Sequence, residues 1–378
     1  MRSDRSRRLA FYVGVICILA LALFLRLYGH NWDDGWYLQP DERNIVMVLT
    51  DRIHAPSLTN LGSLLHPAHS PLNPRSDGTG GKPQAFAYGS LPLYVTDFVA
   101  WVVGTLRQSN FNTYDRVGEI GRYLTEILDA ATVALAMVFA RRSFGRIASL
   151  LTGLLLACTV TMVQLAHFFT VDAWVTFFST ALLLICLRFY EQPRYRWSLL
   201  AGVVFGMALA TKISIVELVF PIVVTLVLTF KARGLVEMLD PLVKHLAVSG
   251  VATLASFALF EPYAILQRSA FISDTRLQWH IVSGKFDVPF TRQFVGDIPV
   301  RYELGNLVHW GLGPFLGITA LASVAYMLSR IRTRSFVELL LLSWIVPYFA
   351  LVVTSEAKFM RYMEPIVPAL VILTVAFM

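Results

Sequence analysis

Residues Leu91 to Leu106 read LPLYVTDFVAWVVGTL, and whether this run crosses a membrane decides the fold of the whole chain. It is apolar, but short against the roughly 20 residues a spanning helix needs, and Asp97 sits inside it. Other apolar runs reach or approach spanning length at about 9–28, 122–140, 147–166, 172–190, 197–212, 214–230, 245–262, 308–328, 336–353 and 364–378. Basic clusters mark alternate ends of these runs: Arg2, Arg5, Arg7 and Arg8; Arg141, Arg142 and Arg146; Arg188, Arg194 and Arg196; Lys231 and Arg233; Arg330, Arg332 and Arg334. If 91–106 does not cross, every cluster falls on one side, which the positive-inside rule makes the cytoplasm. If it crosses, each later cluster is inverted. The segment at about 88–106 is therefore expected to lie in or dip into the interface, inside one external loop of about 30–120.

Composition agrees with a membrane chain. Hydrophobic residues make up 56% of the sequence and charged residues 15%, with mean hydropathy +0.60, whereas a soluble domain carries about 25% charged residues. The expectation is an all-α polytopic membrane protein of about ten transmembrane helices, a single domain over 1–378, with external loops 30–120 and 261–305 carrying juxtamembrane helices. The net charge of +7 has no basic run or aromatic–basic interleaving behind it, so nucleic acid is not a partner. Cys17, Cys158 and Cys186 all fall in expected spans, against a disulfide framework or a thiolate metal site. Residues 1–25 have a basic start and no small-residue cleavage site, as in an uncleaved signal anchor with a cytoplasmic N-terminus. The sequence stops at Met378 inside an apolar run, as a C-terminally truncated product or fragment would.

The polar residues that stand out lie on the expected external side. Gln39-Pro40-Asp41-Glu42-Arg43 follows the first span beside Trp32, Trp36 and Tyr37. It reads either as an acidic helix start with Asp41 as N-cap, or as an acid placed where lipid-borne and water-borne substrates meet. Ala55 to Pro83 is dense in Pro, Gly, Ser and Asn and is expected to be an irregular, substrate-facing flap; His54, His66 and His69 read as solvated loop residues. Asp172 at the mouth of the fourth span is either an N-cap or a functional acid, with His167 the weaker candidate nearby. Lys212 is either a snorkelling lysine or a point charge for an anionic headgroup. Lys358 and Arg361, three apart, share a face if helical, and either anchor the chain or hold a phosphate.

Acids able to take a proton and cations able to hold a phosphate thus face one boundary. That suits group transfer from a membrane-anchored phosphate ester to an external acceptor, with a carboxylate as base and the cations on the departing phosphate. The rival is a transporter or flippase of a lipid-linked or anionic substrate, which would show charges midway and repeated halves. No internal repeat is visible.

The order of QPDE at 39–42, FAYGSLPLYV at 86–95, HFFTVDAWVTFF at 167–178, ATK at 210–212 and KFMRYMEPIVP at 358–368 resembles the GT-C superfamily of polyprenyl-phosphate-sugar-dependent glycosyltransferases. The likeness is to the protein O-mannosyltransferases and lipid A aminoarabinose transferases in particular, and it covers essentially the whole chain. It implies an inverting transfer of a sugar from a polyprenyl-phosphate donor to a protein, lipid or glycan acceptor on the external face. Asp41 would be the base with Glu42 beside it, and Asp172 the second acid. Lys212, Lys358, Arg361 and Tyr362 would line the donor phosphate, and Tyr88 and His167 the donor and acceptor loops. Some relatives carry a divalent metal between the first and third large external loops. His280, in LQWHIVSG, falls near the histidine there, while Gly80-Gly81 stands where its glutamate partner would be.

Overall fold

Leu9 to Leu25 holds no charge and no proline, and it folds as one helix, α1 (Arg2–Leu27). The computed structural model describes residues 2–56, 59–231 and 234–378, so Arg233, one of the topology marks, lies outside it, as do Ser57 and Leu58 of the expected flap. Among the described residues there is no strand. The chain continues through α2 (Pro40–Arg52), α3 (Leu91–Arg107), α4 (Tyr114–Phe144), α5 (Arg146–Ala157), α6 (Val160–Ala166), α7 (Val171–Glu191) and α8 (Tyr195–Leu209). Then follow α9 (Val219–Phe230), α10 (Leu235–Phe260), α11 (Tyr263–Leu266), α12 (Arg268–Val282), α13 (Pro299–Asn306), α14 (Pro314–Ser329), α15 (Phe336–Val353) and α16 (Val367–Phe377).

Seven segments among the described residues are long and apolar enough to cross a membrane, and α5 with α6 makes an eighth across a 57° bend. The chain is a multi-pass membrane protein. The expected count of about ten is corrected downward: all ten runs are largely helical, but three fall short of a single straight span. The run at 147–166 breaks at Cys158-Thr159, where the Arg26 side chain donates to the carbonyls of Leu156 and Ala157 at 3.3 and 3.1 Å. Those end carbonyls have no partner within their own helix, so the arginine holds the break open. Helix α8 stops after 15 residues, a rise of about 22 Å against a hydrocarbon thickness of about 30 Å. The carbonyls that follow it, of Ala210 and Thr211, accept instead from the amides of Leu91 and Gly89 at 3.1 and 3.0 Å. Before α14 lie a π-helical turn, Leu307–Gly311, and Gly313 in the left-handed region at φ +81°. Helix α3, the ambiguous run, is not among the seven segments. It packs on α4 and α2 and leaves Phe98, Trp101 and Leu106 exposed.

The core lies between α4, α7 and α16. Helix α16 is buried on nearly all sides, which a helix that is apolar all round allows. Helix α1 instead turns Tyr12, Val13, Ile16 and Phe24 outward. Basic residues and candidate site residues occupy opposite ends of the same helices: α7 begins with Asp172 and ends with Arg188. There Glu191 pairs with Arg188 at 3.0 Å and with Arg142, in the last turn of α4, at 2.5 Å.

The segment expected to be an irregular, substrate-facing flap is clasped. Fully buried Arg75 reaches Asp274 at 2.9 Å, Glu261 at 3.2 Å and the Phe86 carbonyl at 3.2 Å. Asn73 donates to Gln267 at 2.9 Å, and Ser70 meets Tyr263. The first and third long loops are therefore one polar unit. Burial pushes the Glu261 carboxyl up, against the pull of Arg75 and Ser90.

Close packing at one glycine is testable. A Cβ on Gly121 would run into the Phe169 ring, whereas one on Gly250 meets nothing within 4 Å. Alanine within a helix is favoured over glycine by about 0.5–1 kcal/mol, while overpacking costs about 1–3 kcal/mol. Thermal unfolding in detergent should show Gly250→Ala raising the midpoint and Gly121→Ala lowering it.

Candidate active site at the ends of α2 and α7

Pro40 opens α2 at a position whose amide needs no helical partner. The N-cap is Gln39, not Asp41: its side chain accepts from the Glu42 amide at 2.6 Å. Asp41 is thereby free to point elsewhere, and it pairs with Arg361, which arrives on the 3₁₀ turn Met360–Ile366. A quarter of the Asp41 side chain remains exposed.

The next residue does the opposite. Successive helix residues point about 100° apart, and Glu42 turns inward to full burial. Arg122 of α4 bonds its two oxygens at 2.7 and 2.8 Å, and the Phe169 amide donates to it at 2.8 Å. The same guanidinium grips Asp33 at 2.9 and 2.8 Å. Asp33 feels a burial cost, which these bonds and the Leu38 amide outweigh, so its carboxyl is held below its usual value. Glu42 thus departs from the expected catalytic pairing with Asp41: both its oxygens are committed to holding α2, α4 and the loop before α7 together.

Asp172 likewise is not the cap of α7; Thr170 occupies that position. Its buried carboxylate meets Lys212 at 2.8 Å and lies 3.9 Å from the Arg361 Nε. Two acids and two cations from four distant segments, Asp41, Asp172, Lys212 and Arg361, therefore form one charge-balanced quartet. Tyr362 lies under it, its ring 4.8 Å from the Lys212 Nζ and 5.5 Å from the Arg361 guanidinium. Tyr88 sits beside it; burial first, then the Asp41 charge, pushes its phenol well above the usual tyrosine value.

Three expected members fall elsewhere. Lys358 does not share a helical face with Arg361, because the 3₁₀ turn starts only at Met360. It is buried and donates to the Glu356 carbonyl at 3.1 Å. His167 has both ring nitrogens against backbone carbonyls, Val163 at 2.7 Å and Tyr28 at 2.8 Å, and straps α6 to the end of α1. His280 lies on α12, and among the described residues no group of three or more His, Cys, Asp or Glu is placed to hold a metal. Sequence reading missed Arg122 and Asp33. An arginine near the mouth of an otherwise apolar span was the available signal.

A family model described as dolichyl-phosphate-mannose-protein mannosyltransferase matches residues 116–261. No protein in the curated set matches. ArnT from Cupriavidus metallidurans, bound to undecaprenyl phosphate, is 19% identical with a TM-score of 0.59 over 96% of this chain and 59% of its own. The Archaeoglobus fulgidus oligosaccharyltransferase in its apo form is 14% identical with a TM-score of 0.59, over 97% of this chain and 50% of its own. The same enzyme complexed with Zn and sulfate is 15% identical with a TM-score of 0.58, over 96% of this chain and 48% of its own. The chain thus spans about half to six-tenths of these proteins. The fold is thus shared with ArnT and with the oligosaccharyltransferase.

Removing Arg122 would leave two buried carboxylates uncompensated, which costs about 3–5 kcal/mol. Arg122→Ala should therefore fail to give a monodisperse protein, or melt far below wild type. Arg122→Lys should rescue little, since lysine lacks the planar fork. A second test concerns Glu303, on the inner face of α13 with neither oxygen hydrogen-bonded. Burial pushes its carboxyl up to about 7, against the pull of Lys358. A carboxyl whose folded value is raised contributes stability below its unfolded value that is lost as pH rises toward the folded one. The wild-type melting midpoint should fall relative to Glu303→Gln between about pH 4.5 and 7, and run parallel above that.

Proposed function

We propose that this chain is an inverting glycosyltransferase, moving a sugar from a polyprenyl-phosphate donor to an acceptor hydroxyl on the external face of the membrane. The observation that carries the reading is the quartet: a part-exposed carboxylate, Asp41, held by a guanidinium that also reaches a second acid and neighbours a lysine. The fold it shares with ArnT, whose structure holds undecaprenyl phosphate, supports the donor class. The concentration of arginine at the opposite helix ends supports a cytoplasmic N-terminus and an external site.

In this reading Asp41 accepts the proton of the acceptor hydroxyl while that oxygen attacks the anomeric carbon. The bond between that carbon and the phosphate oxygen breaks, and the electron pair leaves with the polyprenyl phosphate. The phosphate gains negative charge only as the bond breaks, so Arg361 and Lys212 stabilise the transition state more than the bound donor. Asp172 positions both cations, and Glu42 positions the helix that bears Asp41. Tyr88 and Tyr362 line the site between the two substrates. Lys358, bonded to the Glu356 carbonyl and pulling on the Glu303 carboxyl, is assigned no contact with the donor phosphate. Among the described residues His280 has no cluster of metal-ligating groups around it, and no step is assigned to a metal.

Release of sugar from a polyprenyl-phosphate-hexose by purified protein tests this directly. Asp41→Asn should retain its fold and lose about 10²–10⁴-fold in rate. Full activity in a folded Asp41→Asn protein would refute the assignment.

A further inference from the structure

A groove of about 410 Å³ runs along one face of α13 and the π-helical turn after it. Its lining includes Asp297, Arg301, Tyr302, Asn306, His309 and Trp310, so the helical repeat itself stacks charged, amide and aromatic groups on one stripe. Asp297 lies just before α13 and Arg301 within its first turn, and no ion pair joins them among the described residues. Exposed His309 turns its Nδ1 to the Gly305 carbonyl at 2.7 Å, which fixes the ring and leaves Nε2 without a partner among the described residues. A local π-helix is costly and recurs at functional sites. Here it brings His309 and Trp310 into line with Arg301.

The surroundings define what can reach the groove. Directly after it α14 enters the apolar layer with Phe315 93% exposed, and Trp310 in the groove is 66% exposed. Aromatic side chains of this kind, next to charges, mark the level of lipid headgroups. The groove is separate from the quartet: three ring contacts, Tyr302–Phe294, Phe294–Phe359 and Phe359–Tyr362, at 5.8, 5.1 and 5.6 Å, lie between them.

We propose that this groove binds a membrane lipid whose headgroup carries both a phosphodiester and a primary amine. Arg301 supplies fork donors to the phosphate, with His309 beside it, and Asp297 accepts from the ammonium. The Trp310 ring covers the headgroup on its lipid side. An anionic lipid without an amine would leave Asp297 facing a like charge, so the site discriminates by that acid as well as by its cations.

Native mass spectrometry of the purified chain in detergent tests this with phosphatidylethanolamine, phosphatidylglycerol, diacylglycerol and soluble phosphoethanolamine as probes. Wild type should retain phosphatidylethanolamine at least about tenfold better than phosphatidylglycerol, and diacylglycerol not at all. The Arg301→Ala/His309→Ala protein should lose that adduct, and Asp297→Asn should reduce the preference to near unity. Displacement by soluble phosphoethanolamine would show that the headgroup alone is recognised; resistance to it would assign the ligand as intact lipid. Arg276→Ala, on exposed α12, and Asp41→Asn should both keep the adduct, which separates this site from the proposed chemistry. Equal retention of both phospholipids by wild type, or an unchanged adduct in the double variant, would overturn the proposal.

Discussion

Everything near the candidate site depends on one guanidinium. Arg122 is buried at the mouth of α4 and bonds two carboxylates from the segment between α1 and the body of α2. A lone buried charge would be prohibitive, and two lone carboxylates more so. Joined in fork geometry, the three become a fixed polar joint in an apolar wall. Glu42 extends the joint to the Phe169 amide, just before the residues that start α7. The positions of Asp41 and Asp172 are both consequences of that joint. The quartet above it can then be part-exposed and adjustable without the helices moving apart.

A second joint works the same way among the loops. Arg75 fastens the Pro- and Gly-rich segment to Glu261 and Asp274, so a stretch whose composition favours irregular structure is ordered by long-range charge. A third arginine, Arg26, meets Asp129 and stabilises the broken span at Cys158. Each time arginine is the residue used. Its five donors satisfy carboxylates and loose carbonyls together, which a lysine cannot do.

These joints also explain what the sequence could and could not reveal. Apolar runs and basic clusters follow from solvation, a property of each segment by itself, and nearly all of them were legible. Asp41, Asp172, Lys212 and Arg361 stood out because each is a charge beside an apolar run, and the fold brings them together across 320 positions between Asp41 and Arg361. Arg122 and Arg75 did not stand out, because their meaning lies in partners 80 and 186 positions distant. Glu42 and Lys358 were grouped with their neighbours by spacing and by the resemblance. The direction a side chain takes depends on where a helix begins, and Gln39 and Met360 set those starts. One shortened span, α8, likewise ends at a distant contact: the amides of Leu91 and Gly89 take the carbonyls of Ala210 and Thr211 that follow it.

The balance of charge in the quartet has a consequence for the proposed reaction. Asp41 and Asp172 offset Arg361 and Lys212, so without a donor the site presents no net charge to the membrane surface. A base locked to an arginine is poorly placed to meet a hydroxyl, since the guanidinium occupies the oxygen that would take the proton. A donor phosphate arriving at Arg361 competes for the same guanidinium, and Asp172 keeps that guanidinium in place while its bond to Asp41 loosens. The Asp41 oxygen that Arg361 occupies would be freed for the acceptor hydroxyl as the donor binds. In the proposed reaction Arg361 would sit between base and leaving group, and that shared position would link the readiness of one to the presence of the other. Charge that appeared on the phosphate during transfer would draw the arginine further from Asp41, leaving the transferred proton where it had settled.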